Sequence, residues 1–111
     1  KSDRAHGDEL LALLDATRPA EGLAASLLAR HDVDESAYAL AAPRLASALG
    51  RKIDVPHVRV EALRLRIVVA CARREADVAA KTLSEYAKDR DAAPAHVDAM
   101  TRLVDRCIAG Q

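Results

Sequence analysis

Three arginines at seven-residue spacing, four histidines and two cysteines are the side chains of this 111-residue sequence that could do chemistry. At 100° per residue, Arg59, Arg66 and Arg73 fall within roughly 40° of one another on a helix and form a narrow basic stripe. Such a row can clamp carboxylates or phosphates through paired hydrogen bonds. It can equally be the solvated edge of a buried helix, paired with acidic groups of the following helix. The second reading is preferred, because charge runs are usually solvated faces. His6, His31, His57 and His96 are scattered, with no pair at the i, i+4 spacing a metal site would use, so surface or capping roles are expected. Cys71 and Cys107, 36 residues apart, make neither a disulfide framework nor a zinc site, and each reads as a small buried hydrophobe on its own helix. The sequence has no glycine-rich phosphate loop, HExxH, CxxC, nucleophile elbow or EF-hand loop. No histidine is followed by the Lys-Gly segment of histidine phosphotransfer bundles. No catalytic residue, cofactor or metal is therefore assigned, and a non-enzymatic protein is expected.

The elements that would hold these side chains read as helices. Residues 56–74, PHVRVEALRLRIVVACARR, are the longest apolar-rich run. Around the arginine stripe, Val60, Leu63, Ile67 and Cys71 lie on one flank and Val58, Ala62, Leu65, Val69 and Ala72 on the other. A helix apolar on nearly all sides has to be buried by several neighbours. Before it, Asp8 caps a short first helix with Leu10, Leu11 and Leu14. Pro19 opens a second helix whose buried face is Leu23, Ala24, Leu27 and Leu28, ended by the turn His31–Asp34. Asp34 is expected to cap a third helix with the face Leu40, Leu45 and Leu49, stapled by Val33 and Tyr38 and stopped at Gly50. Pro43 should kink or divide that helix. Asp54 and Pro56 start the central helix. After it, a tight turn at 73–77 leads to a fifth helix capped by Asp77, with the face Ala79, Ala80, Leu83 and Tyr86. Pro94 opens a sixth, with Val97, Met100, Val104, Cys107 and Ile108 inward and Gly110 at its end.

The expected architecture is all-α: a compact bundle or stacked hairpins of about five to six short helices around a central helix near residues 56–74. Residues 1–111 read as a single helical domain, and the start at Lys1 fits a piece of a longer chain. The 25 alanines, the absence of Phe and Trp, and the single Met imply a core of Leu, Val and Ala. The same composition fits a GC-rich, bacterial genome. Seventeen basic residues balance seventeen acidic ones, which removes the usual electrostatic reason for binding nucleic acid or an anionic membrane. The longest uncharged stretch of the central run, Ile67–Ala72, is far short of the ~20 residues of a membrane span, and a reducing cytoplasm is expected.

Two stretches resemble known families. The helix pair from Val58 to Asp91 is 34 residues long and carries Ala79, Leu83 and Tyr86 in an order similar to that of a tetratricopeptide repeat. The resemblance implies stacked hairpins with a groove for a partner's peptide or helix. It departs from the family in lacking the first-helix aromatic, in having Arg74 where a small residue is usual, and in showing no second copy before it. Val33 to Gly50, with Val33, Ser36, Ala37, Leu45, Leu49 and Gly50, resembles the recognition-helix region of LysR-type regulators. That resemblance implies a helix-turn-helix near residues 23–50 that binds DNA. Pro43 and the acidic Asp32, Asp34 and Glu35 run against it.

The functional expectation is a protein-interaction or assembly module that binds a partner helix or a second copy of itself, with a DNA-binding regulator fragment as the alternative. The candidate contact residues are Leu10, Leu13, Leu14, Leu27 and Leu28, whose helices carry more leucine than one face buries, together with Arg59, Arg66 and Arg73.

Overall fold

A computed structural model describes Ala12 and residues 22–51 and 53–110. The described residues form five helices and no strand: α1 (Leu23–Asp34), α2 (Tyr38–Leu49), α3 (Pro56–Ala72), α4 (Ala76–Ala87) and α5 (Pro94–Ala109). The expected first helix, with Leu10, Leu13 and Leu14, lies outside the described residues.

The order of packing is that of stacked hairpins. Gly22, at the start of α1, lies against the Ala48 carbonyl at the end of α2, so these two helices run antiparallel. Arg59, at the start of α3, reaches Asp89 just past α4, which makes α3–α4 the second hairpin. The first helices of successive units, α1, α3 and α5, touch one another in turn, while α2 and α4 make no contact. Every other described helix packs on α3, as its all-round apolar surface requires: Val60, Leu63, Ile67 and Ala70 face one core, Ala62 and Val69 the other.

Both hairpins turn in the same way. Ser36 and Arg74 adopt left-handed backbone conformations, φ 58° and 60°. In each case the next residue's N–H reaches back to an earlier carbonyl, Ala37 to Asp32 (2.7 Å) and Glu75 to Ala70 (2.8 Å). Ser36 and Arg74 themselves donate to the carbonyls of Val33 and Cys71. This pair of hydrogen bonds closes a helix by satisfying its last carbonyls, and it usually recruits glycine because a Cβ crowds the left-handed conformation. Here a serine and an arginine take that place. A copy of the hairpin thus does precede α3, and the same 38 residues separate Ser36 from Arg74 and Pro56 from Pro94, each proline opening the next helix.

Several local expectations are corrected. α1 does not stop at His31 but runs to Asp34, so Asp34 ends one helix instead of capping the next. None of the five helices has a side-chain N-cap hydrogen bond, and Asp77 sits inside the first turn of α4. The buried face of α1 is Ala25, Ser26, Ala29 and Asp32 together with Leu28, whereas Leu23 is exposed and Leu27 only half-buried. Small residues there let α1 approach Ala41, Leu45 and Ala48 closely, and a Cβ added at Gly22 would also come within 2.9 Å of the Ile53 side chain. On α2, Leu40 is 57% exposed, because the inward arc is Ala41, Leu45 and Ala48. Pro43 does not divide α2. It withholds one donor from the Ala39 carbonyl, and both residues are exposed, where water can replace the lost bond. On α4, Ala80 is exposed and Thr82 is buried, its hydroxyl donating to the Val78 carbonyl at 2.7 Å. On α5, Ile108 is 49% exposed and Leu103 packs on the core with Val97, Met100 and Cys107.

Candidate functional site

Because α2 and α4 do not touch, a cleft opens between them, and α3 is its floor. One hollow of about 490 Å³ is lined by Ala39, Ala42, Pro43, Leu45 and Ala46 of α2, by Arg66, Val69, Ala70 and Arg73 of α3, and by Glu75 and Val78. A second, of about 240 Å³, lies toward the other end, between Leu49, Arg51 and Ile53 on one side and Glu85 and Asp89 on the other, over Arg59 and Leu63. The arginine stripe therefore runs along the cleft floor.

Its three members are held differently. Arg59 is engaged on both prongs, with Nη1 3.0 Å from Asp89 and Nη2 2.9 Å from Asp91. Asp89 is itself fixed by accepting the Asp91 backbone N–H, 2.9 Å. That is the solvated-edge pairing expected from sequence, with the acidic partners just beyond α4 rather than within it. Arg73 meets Glu75 only loosely, at 3.8 Å. Arg66 pairs with no acidic group among the described residues, although it is half-buried and lines both the main hollow and a side hollow with Asp77, Lys81 and Glu85.

The α2 wall comes from Ala39, Ala42, Pro43 and Ala46, spaced i, i+3, i+4 and i+7 on one helical face. Sequence reasoning did not assign them to a site. The signal was present: a proline within a stripe of small residues, beside the buried arc of Ala41, Leu45 and Ala48. Such a wall admits close approach by another backbone. Arg44 and Arg51 do not line the main hollow. Arg44 Nη1 is committed to the buried Asp32 carboxylate at 2.6 Å, and Arg51 Nε donates to the Ser47 carbonyl. Of the remaining sequence candidates, Leu28 is buried within the fold and Leu27 is half-buried on α1, away from the cleft. The structure does not bring them together with the arginines.

Among the described residues no group of three or more His, Cys, Asp or Glu side chains could hold a metal. No described helix is long and apolar enough to cross a membrane. In comparison with known proteins the chain matches no family model, no curated protein and no solved structure.

Proposed function

We propose that the protein is a non-enzymatic interaction module that seats a helical or extended segment of a partner protein in the α2/α4 cleft. The observation that carries this reading is Arg66, a half-buried cation on the floor of an apolar cleft with no acidic partner among the described residues. A carboxylate on the incoming segment would receive its guanidinium fork, and small apolar side chains would cover Ala42, Ala46, Val69 and Val78. Arg59, already neutralised by two aspartates, contributes rigidity to the cleft and not attraction.

Selection from a displayed library of random peptides tests the proposal. Enriched peptides are expected to combine an acidic residue with apolar residues at helical spacing. Arg66→Glu and Ala46→Trp should each weaken their binding at least about tenfold, as loss of a charge-assisted bond or of access implies. Peptides that bind both variants as well as wild type would overturn the cleft assignment. Salt-dependent binding of duplex DNA in a parallel titration would favour a nucleic-acid partner instead.

A further inference from the structure

Cys71 on α3 and Cys107 on α5, 36 residues apart in the chain, lie on the same face of the stack. Both pack against the core built on Ile67, Tyr86 and Val104. Both also line one shallow surface groove of about 380 Å³ with Leu103 and Arg106. Each thiol is free and half-exposed, and the two form part of the same groove wall. From sequence they were two unrelated buried residues. The stacking of α3 on α5, which skips α4, makes them neighbours.

We propose that Cys71 and Cys107 form a reversible intramolecular disulfide that staples α5 onto α3. The oxidant is a low-molecular-weight disulfide such as oxidised glutathione. Cys107 loses its proton to solvent and its thiolate attacks one glutathione sulfur, forming a mixed disulfide and expelling a glutathione thiolate, which is protonated. Cys71 then gives up its proton and attacks the Cys107 sulfur, expelling the second glutathione. The dithiol is oxidised by two electrons, and one glutathione disulfide is reduced to two glutathione thiols. The order follows from the environment. Burial and the adjacent Cys107 push the Cys71 thiol up to about 12, so it is held protonated and is the poorer first nucleophile. The staple acts where the fold is least secured, since Val104 is the only fully buried side chain of α5.

The test treats the full chain with oxidised glutathione and reads intact mass without reduction. The expected product is a monomer lighter by about 2 Da, the mass of the two thiol hydrogens lost when the S–S bond forms. Both cysteines should resist alkylation, dithiothreitol should restore them, and amide exchange in α5 should slow on oxidation. Cys71→Ser should retain a single glutathione adduct instead, and Cys107→Ser, left with the half-buried Cys71, should acquire one more slowly. A wild-type chain that keeps stable adducts, forms disulfide-linked dimers, or stays fully alkylatable would overturn the proposal. Because the deciding mass is read on the wild-type chain, the outcome does not depend on whether either variant folds.

Discussion

Twelve residues after the left-handed turn residue, the first hairpin carries Ala48 and the second carries Tyr86, and both are fully buried. Seven residues before it stand Ala29 and Ile67, again both fully buried. Equivalent backbone positions are filled by small residues in α1–α2 and by large ones in α3–α4. The first hairpin closes the distance instead of filling it, with Ala25, Ala29, Ala41 and Ala48 inward and Gly22 against the Ala48 carbonyl. It also holds a half-buried ion pair, the buried Asp32 with the partly exposed Arg44, where the second hairpin places Ala70 and Thr82. In the second hairpin the Tyr86 ring provides the bulk, and its hydroxyl is satisfied by Arg64 Nη1 at 3.3 Å, the guanidinium lying 6.0 Å from the ring centre. One turn geometry thus tolerates two packing solutions, because the hydrogen bonds that close the hairpin are all backbone. The side chains need only match one another.

Tyr86→Ala tests this contrast most severely, since it would give the second hairpin the side chain of the first without its closer helix approach. A cavity then remains, and stability to urea should fall by about 3–5 kcal/mol, followed by helical circular dichroism. An unfolding midpoint near wild type would mean that α3 and α4 can close up as α1 and α2 do. Asp32→Ala probes the other hairpin. It removes the anchor of α1–α2 but leaves Arg44 partly in water, so the cost should be about 1–2 kcal/mol, below that of breaking a fully buried pair. A loss as large as that from Tyr86→Ala would show that the ion pair, and not the alanine packing, holds α1–α2 together.

The smallest effect is a gain. Glycine relieves the left-handed crowding, so Ser36→Gly should stabilise by about 0.5–1 kcal/mol in the same measurement. Arg74→Gly should gain by the same relief of crowding. Equal gains at the two turns would make the hairpins equivalent in their turns and different only in their cores.

Much of this fold was legible in the sequence. Pro56 and Pro94 announced their helices, and the apolar circumference of residues 56–74 announced a centre. Helix periodicity also placed Leu45, Ile67, Ala79, Tyr86 and Val104 inward. The turns were less legible, since Ser36 and Arg74 stand where glycine is the usual signal. The face of α1 was misread because leucine is the more hydrophobic residue while alanine permits the closer contact. As for the cleft, its arginine floor was visible as a stripe, but its walls needed α2 and α4 in place.

The helices, the centrality of α3 and the arginine row along it could all be read from the order of residues, because they follow from local propensity and from a 3.6-residue period within one segment. It took the packed fold to settle which arginine is neutralised and which has no acidic partner among the described residues, that α2 and α4 stand apart, and that Cys71 and Cys107 line one groove. Those outcomes depend on contacts between residues about 30 or more positions apart, whose pairing is set by how closely whole helices can approach and leaves no periodic trace in the chain.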